Sequence, residues 1–470
     1  MKTKIKGRYV LAYDDSQHRH CLLEDAELVH EDATILYVGS SYNGDVDRVI
    51  DATDCMIIPG LINAHGLIDV SIKQFGFEKP REKGYHRPCS WVGSTGDEFG
   101  PEEIRRGADL AFLNMLRSGC TTVAGITSMV FKRWDDPEWE PMVYMESAVH
   151  SGIRAYLSHH YRARAPYTGL DGEKAFLLDE DRGMRGLERC EAFIRAYDGA
   201  FGGRIRGALF PYTLDQSTPN LLRATEVTSR ELGVPVRMHT AQSDSEVEFI
   251  KAEYGASPVE YLDDLGVINP RWLFTHAMYL GGNHPATSSK DLEVLAARGA
   301  NIANCPWIYT FRGAFLKSLS EYSRAGINMC IGTDTFPQDM LREMRWAIAS
   351  DKIANASPEA GIAQQALNAA TLNAARWLGR EDLGRLAPGA RADLAMIDFD
   401  RFSIGPVDDP VKNLVYFATA ADVRRVIVDG ETVVDDHCAV RLDESEVVRK
   451  SQPVSEKVGS LLQAWSMHRE

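Results

Sequence analysis

Four side chains that can bind a metal or move a proton each close a short apolar run. They are His65, His239, His276 and Asp334, and runs of this kind are typical of buried strands. Imidazole and carboxylate together suit a borderline divalent metal such as zinc, cobalt, iron or manganese. A catalytic site of this kind needs about three protein ligands and one open position for water. A structural role is the simpler interpretation of each histidine alone, whereas the four together favour one metal centre.

Residues 56–69 contain the most informative of these runs, with a Pro-Gly break followed by Leu-Ile-Asn-Ala-His-Gly-Leu. Alternation along a strand places Asn63, His65 and Leu67 on one face. A metal-binding strand would carry histidine at both 65 and 67, but the second position holds leucine, which we expect to pack beside the site. Asn63 is a candidate for a fourth, weaker metal contact, and a hydrogen bond at the strand end is its alternative role.

The segments that must position these residues alternate between helix and strand from about residue 58 to 388. This alternation favours a parallel sheet, either a barrel or a doubly wound sheet. Helical patterns cover residues 101–118, 217–232 and 292–298. Apolar runs follow them at 120–125, 235–239, 272–276, 301–305 and 328–334. Several runs end on His, Asp or Cys, as expected at the carboxyl ends of barrel strands, where such folds keep their active sites.

Short alternating strands at both ends of the chain predict a second, all-β unit. They lie at residues 9–13, 26–30 and 33–39, and again at 392–398 and 423–434. We therefore divide the chain into a first β part (1–57), a catalytic part (58–388), a second β part (389–445) and a helical tail (446–470).

Aromatic residues and two long loops indicate where a substrate would lie. The loop 74–100 is rich in aromatics, including Trp91, whereas the loop 158–186 is strongly charged. With Trp307 and Tyr309, the first loop would line an apolar pocket. His159 and His160 lie near a predicted strand end, where one could contact substrate; surface positions are the alternative.

Composition excludes several classes of function. The 470 residues carry a net charge of −15 and a pI near 5.4, which argues against nucleic acid or an anionic membrane as a partner. No run of about 18 apolar residues is present, and no secretory signal is evident at the N-terminus. The eight scattered cysteines never form Cys-x-x-Cys, so we expect a reduced, cytoplasmic protein.

Six short motifs, in this order, resemble those of the amidohydrolase superfamily, and the resemblance covers nearly the whole chain. They are Pro-Gly-Leu-Ile-Asn-Ala-His (59–65), Leu-Arg-Ser-Gly-Cys-Thr-Thr (116–122), His-Thr-Ala-Gln (239–242), Thr-His (275–276), Gly-Thr-Asp (332–334) and the closing pair at 370–375 and 389–394. The resemblance implies a (β/α)8 TIM-like barrel with a small β-sandwich built from both termini, and a homodimer or homotetramer. Within the superfamily the chain is most similar to the cytosine-deaminase and triazine-hydrolase branch. Its Asn-x-His start resembles the molinate hydrolase and phenylurea hydrolase group.

Two positions depart from the superfamily pattern. Leu67 stands where a second strand-1 histidine is usual, and Gln242 replaces the strand-5 glutamate that shuttles protons. Glu246, one turn further on, could replace that glutamate, but we expect it to lie on a solvated helix face. The remaining set implies one metal held by His65, His239 and Asp334, because residues 204–212 offer no lysine to bridge a second metal.

The expected chemistry follows from this set. A metal would make hydroxide available near neutral pH, and Asp334 would take the water's proton and return it to the leaving nitrogen. His276 would orient the water or polarise the substrate carbonyl, and Gln242 would contact substrate. We therefore expect a hydrolase of carbamate, thiocarbamate or phenylurea C–N bonds acting on a small apolar substrate. The alternatives are a deaminase of triazine- or cytosine-type heterocycles and, in another class, a non-catalytic scaffold.

Overall fold

The computed structural model describes residues 1–70, 98–127, 132, 134, 136–168, 174–311, 313–314, 316 and 319–467. Its strands are β1 (Lys2–Asp14), β2 (Arg19–Glu31), β3 (Thr34–Gly39), β4 (Arg48–Pro59), β5 (Leu61–Leu67), β6 (Cys120–Ile126), β7 (Arg154–Leu157), β8 (His160–Tyr161), β9 (Arg164–Thr168), β10 (Lys174–Leu178), β11 (Ile205–Gly207), β12 (Phe210–Pro211), β13 (Val236–Thr240), β14 (Trp272–His276), β15 (Asn301–Asn304), β16 (Asn328–Ile331), β17 (Leu394–Asp398), β18 (Val423–Val428), β19 (Glu431–Asp435) and β20 (Cys438–Ala439).

Helices alternate with the central strands. They are α1 (Pro101–Arg117), α2 (Glu140–Ser151), α3 (Glu180–Tyr197), α4 (Ala200–Gly203), α5 (Pro219–Leu232), α6 (Asp244–Tyr254), α7 (Pro258–Asp264), α8 (Asp291–Ala297), α9 (Pro306–Phe311), α10 (Leu319–Arg324), α11 (Met340–Asn355), α12 (Ala363–Ala369), α13 (Leu372–Trp377), α14 (Pro410–Phe417) and α15 (Glu444–Met467). None of the helices in the described ranges is long and apolar enough to cross a membrane.

The central strands form two four-stranded parallel sheets with the orders β11-β7-β6-β5 and β13-β14-β15-β16. Isolated parallel bridges join the two sheets at both seams. At one seam Leu209 pairs with Val236 and Thr213 with His239, and at the other Gly66 pairs with Asp334. The backbone N–H of Asp334 donates to the His65 carbonyl at 2.8 Å, and the N–H of Leu67 donates to the Asp334 carbonyl at 2.7 Å. The fold is TIM-barrel-like, with the carboxyl ends of its first and last strands held together.

The terminal strands form one continuous eight-stranded sheet of order β20-β19-β18-β17-β4-β1-β2-β3. β4 connects the N-terminal and C-terminal strands of this sheet, because it pairs with β1 in parallel and with β17 antiparallel. The family resemblance implied a β-sandwich built from both termini. The contribution of both termini is observed, but the ladder of hydrogen bonds runs through all eight strands without dividing them into two sheets.

Two further segments differ from the sequence-based expectations. The charged loop predicted at 158–186 contains β8, β9 and β10 and the start of α3, and β9 pairs antiparallel with β10. The tail contains helix α15, which packs on α1, where Lys457 pairs with Glu103 at 2.8 Å and Ser451 donates to the Arg106 carbonyl at 3.1 Å. The loop predicted at 74–100 lies almost wholly outside the described residues.

Candidate metal centre

Three buried imidazoles meet at the carboxyl ends of β5, β13 and β14. One nitrogen from each of His65, His239 and His276 lies within 4.8 Å of the other two. The His65 ring stands edge-on to both others, at centroid distances of 4.8 Å and 5.2 Å. Parallel pairing of β13 with β14 sets Thr240 opposite His276, which brings the ring of His276 to within 5.4 Å of that of His239. The sequence assigned His276 to water orientation, and the structure brings it into the same cluster as the two predicted ligands.

Asp334 lies beside this cluster, three residues after β16. Its Oδ2 is 3.9 Å from His276 Nε2. Both residues adopt left-handed backbone angles, with φ of 74° for His276 and 55° for Asp334, a region that non-glycine residues rarely occupy and that is common at functional sites. Gly332 allows this approach, because a Cβ there would lie 2.6 Å from His65 Cβ.

Asn63 links the end of β5 to the turn that carries Asp334 through side-chain hydrogen bonds. Its Oδ1 accepts from the backbone N–H groups of His65 and Thr333 at 3.1 Å and 3.2 Å, and its Nδ2 donates to Thr333 Oγ1 at 2.8 Å. The amide oxygen is committed to two donors, so we place Asn63 outside the ligand set. Its position corresponds to the structural alternative.

Leu67 does not continue the strand face that carries His65. The pairing of β5 with β6 shifts register between Asn63 and Gly66, so the two-residue alternation assumed from sequence is interrupted there. Leu67 is buried in the main hydrophobic core, and its carbonyl accepts from Gln338 Nε2 at 2.8 Å.

A guanidinium lies between two of the barrel's histidines. Arg237, on β13 two residues before His239, donates from Nη1 to His65 Nδ1 at 2.7 Å and from Nη2 to His160 Nε2 at 3.0 Å. Its Cζ stacks 4.5 Å above the Phe210 ring. Burial lowers the pKa of Arg237 to about 9, so the guanidinium is charged at neutral pH. Burial, reinforced by this cation, holds the pKa of His65 well below its usual value.

His160 continues this hydrogen-bonded chain to a buried carboxylate. Its Nδ1 lies 3.0 Å from Asp136 Oδ2, and Asp136 Oδ1 accepts from Lys132 Nζ at 2.6 Å. Burial lowers the pKa of His160 to about 4 although Asp136 opposes the shift. Burial disfavours the charge on Asp136, but the Lys132 ammonium outweighs it and lowers the pKa of that carboxyl. Lys132 also donates to Glu140 at 2.5 Å, where burial raises the carboxyl pKa to about 7.

The donor chemistry fits a transition metal. His239 Nδ1 lies 2.6 Å from the Tyr212 carbonyl, so its hydrogen is on Nδ1 and its lone pair is on Nε2, which is the usual arrangement of a metal-ligating histidine. His65 Nε2 is buried without a hydrogen-bond partner among the described residues. With the Asp334 carboxylate alongside, the cluster could hold one divalent ion.

Gln242, just after β13, stands where the superfamily usually has a glutamate, so the site has no acid at that position. Gln242 is half-buried, and the backbone N–H groups of Ala241 and Gln242 donate to the Glu246 carboxylate at 2.8 Å and 3.0 Å. Glu246 is itself 1% exposed, so the solvated helix face expected from sequence is wrong. The carboxylate stabilises the turn after β13 instead.

The predicted substrate residues fall into three groups. The Tyr309 ring lies 4.8 Å from that of His276, whereas Trp307, on the same helix α9, packs on Trp346 at 5.4 Å. His160 faces the barrel interior, and His159 lies instead against Phe193 of α3 at 6.2 Å. Trp91 is outside the described residues.

Sequence reasoning missed Arg237 and Tyr212. Arg237 interrupts an apolar run and shares strand alternation with His239, and this spacing was the available signal. Tyr212 had no such signal in the sequence, because only the folded structure brings its carbonyl to His239 and its ring to within 5.0 Å of the His239 ring.

Comparison with known proteins agrees with this geometry. The sequence model of the amidohydrolase family matches residues 56–433. The chain is 30% identical to 5-methylthioadenosine/S-adenosylhomocysteine deaminase of Natronomonas pharaonis over 454 residues, covering 96% of each chain. It is 28% identical to 5'-deoxyadenosine deaminase of Methanosarcina mazei over 458 residues, covering 97% of this chain and 98% of that one.

Among solved structures, atrazine chlorohydrolase of Arthrobacter aurescens in complex with zinc superposes with a TM-score of 0.81 at 25% identity, covering 96% of this chain and 100% of that one. These relatives support the triazine-hydrolase branch inferred from the motifs. They give no support to the narrower resemblance to molinate and phenylurea hydrolases.

Proposed function

Because the chain belongs to the amidohydrolase family and is a hydrolase of carbon–nitrogen bonds other than peptide bonds, we propose that it removes an exocyclic amine from a nitrogen heterocycle. Adenosine-type nucleosides are the first substrates to consider and aminotriazines the second. In the reaction water adds to the ring carbon, a C–O bond replaces the C–N bond, and ammonia leaves. The observation that carries the proposal is the three-imidazole cluster with Asp334 beside it at the barrel end.

The residues that would hold one divalent metal are drawn from His65, His239, His276 and Asp334. A metal there would supply hydroxide near neutral pH. The Asp334 carboxylate would accept the proton of the attacking water and deliver it to the leaving nitrogen. Asp334 has a left-handed backbone, and its position is fixed by backbone hydrogen bonds to β5: its N–H donates to the His65 carbonyl, and its carbonyl accepts from the Leu67 N–H.

Aromatic rings beside the cluster support a flat substrate. Tyr309 lies edge-on to His276 at 4.8 Å, and Tyr212 lies 5.0 Å from His239. Both side chains are buried. Rings at this spacing offer faces and edges for stacking against a heterocycle.

Gln242 favours a second candidate, hydrolysis of a carbamate, thiocarbamate or phenylurea. An amide side chain cannot exchange a proton with a ring nitrogen, and Glu246 is committed to the backbone of residues 241 and 242. An amide-like C–N bond needs no ring protonation, so Asp334 alone would suffice as the acid.

A substrate panel separates the two candidates. The full-length chain, loaded with Zn²⁺ or Co²⁺, is assayed for ammonia from adenosine, 5'-deoxyadenosine and aminotriazines, and for aniline from phenylureas and phenylcarbamates. Ammonia release that is lost in His239→Gln supports the proposal. Aniline release without ammonia would transfer the assignment to the second candidate, and inactivity on both series would reject both.

A further inference from the structure

The guanidinium of Arg237 occupies the position where a metal-binding histidine normally meets an acceptor. Among the described residues its side chain hydrogen-bonds only to His65, His160 and, at 3.5 Å, the Gly125 carbonyl. It is fully buried inside the barrel, on the strand that also carries His239. A cation is therefore built into the wall of the proposed metal centre.

Chemistry fixes which atom donates in each hydrogen bond that links His65, Arg237, His160 and Asp136. Guanidinium nitrogens only donate, so His65 Nδ1 and His160 Nε2 must both be acceptors without hydrogen. At the far end, the Asp136 carboxylate accepts from His160 Nδ1 at 3.0 Å, which agrees with that assignment. Thr275 Oγ1, 3.3 Å from His65 Nδ1, is a hydroxyl and can donate as well.

An imidazole without hydrogen on Nδ1 carries it on Nε2, and a nitrogen that carries hydrogen has no lone pair for a metal. A ligating histidine has the opposite polarity, with one N–H donated to a carbonyl or carboxylate. His239 has that polarity, through the Tyr212 carbonyl at 2.6 Å. The hydrogen bond from Arg237 and a metal bond through Nε2 are thus mutually exclusive for His65.

We propose that Arg237 keeps His65 out of the metal's ligand set and presents its Nε2–H as a hydrogen-bond donor to the reacting centre. Any metal is then held by His239, His276 and Asp334. Strand β5 then contributes no metal ligand. This explains why leucine is acceptable at position 67: neither position 65 nor position 67, where the superfamily usually carries histidine ligands, binds the metal. The inference rests on the proposed function for the presence of a metal, and it concerns only which residues hold it.

Co²⁺ binding by the metal-free, full-length chain tests the ligand set. His65→Gln is expected to change the Kd for Co²⁺ by no more than about 3-fold, and His239→Gln to weaken it by about 100-fold or more. Comparable losses in the two variants would overturn the inference. If Arg237→Met folds, it should tighten Co²⁺ binding about 10-fold where His65 is present and leave it unchanged in the His65→Gln background.

The tautomer of His65 can be measured without any metal. In ¹⁵N-histidine-labelled metal-free protein, signals missing from His65→Gln are assigned to His65, and hydrogen on Nε2 is expected. Hydrogen on Nδ1 would overturn the inference. A wild-type chain that binds no Co²⁺ would defeat the proposed function instead, so the two failures are distinguishable.

Discussion

At the residue scale, the site combines neutral imidazoles, one carboxylate and one buried cation. His65 and His160 are kept uncharged by burial, and Arg237 lies between them. Loss of an acid at Gln242 and of a ligand at Leu67 leaves Asp334 as the acid–base group beside the cluster. Most of the proton transfer in the proposed reaction therefore depends on one side chain.

Asp334→Asn tests that dependence. Asparagine tolerates the left-handed backbone at this position, so the fold should persist while proton transfer is lost. We expect kcat/KM to fall by roughly 10²–10⁴-fold, with unfolding in urea nearly unchanged. Asp45→Asn, at an exposed position, is the matched control, and an Asp334→Asn variant as active as that control would contradict the role assigned to Asp334.

The four metal-binding and acid–base candidates could be found from sequence because each closes an apolar run at a strand end. Their partners could not. Asn63 and Glu246 are interpretable only once Thr333 and the turn at 241–242 are placed beside them. The role of Arg237 depends on residues 77 and 172 positions away, and no local pattern reports such a distance.

At the element scale, the first and last barrel strands meet with little space to spare. A Cβ on Gly332 would lie 2.6 Å from His65 Cβ and 2.9 Å from the His65 backbone. The order and type of the central strands followed from their apolar runs. The register shift in β5 did not, because it arises from pairing with β6 and with Asp334, beyond β16, and not from the strand's own residues.

Gly332→Ala should therefore disturb both packing and function. Overpacking of this kind costs about 1–3 kcal/mol, and we expect a loss of that size in the free energy of unfolding together with weaker Co²⁺ binding, because the turn carrying Asp334 must move. Gly459→Ala, where an added Cβ meets nothing within 4 Å, is the control. Equal stability of the two variants would show that the seam is more pliable than its geometry indicates.

His20 on β2 links the terminal sheet to the segment before α13. Its Nε2 is 3.0 Å from Thr371 Oγ1, and Thr371 donates to the Leu367 carbonyl at 2.6 Å, so His20 is the donor. Burial lowers its pKa to about 4, below the value of about 6.5 expected in the unfolded chain. The unfolded chain takes up a proton first, and stability is lost as the pH falls from about 6.5 to about 4.

Replacing His20 should reduce the loss in the free energy of unfolding that occurs as the pH falls. Between pH 7.5 and 5.0, wild type should lose about 2 kcal/mol more than His20→Gln, which retains a donor for Thr371. Urea titrations at the two pH values measure the difference. Parallel losses in the two proteins would mean that His20 is accessible to protons in the folded state.

At the scale of the whole molecule, a buried ion cluster joins the barrel to the terminal sheet. Arg154 on β7 donates to Asp393 at 3.1 Å and to Asp429 at 2.5 Å, and Arg204 also donates to Asp429, at 3.2 Å. The two-ended architecture was predictable from strand texture at both termini. The ion pairs of Arg154 and Arg204 were not predictable, because a charged residue in a short strand is expected to face solvent unless the packing of the barrel against the terminal sheet is known.

Arg154→Met tests this junction. Removing one partner of a buried pair leaves carboxylates without their counter-charge, so we expect a loss of about 3–5 kcal/mol in the free energy of unfolding. Arg298→Met removes the more exposed pair with Asp263 and should cost less than about 1 kcal/mol. Similar costs for the two variants would contradict a structural role for the cluster.

In the proposed reaction water replaces an amine on a heterocycle at a metal-assisted site. The most direct measurement is the mass of the product formed from an adenosine-type nucleoside by the metal-loaded chain in H₂¹⁸O. We predict one ¹⁸O in the ring product for each ammonia released, and no product in Asp334→Asn. Unlabelled nucleoside, recovered unchanged while a phenylurea is cleaved under the same conditions, would contradict the proposed function.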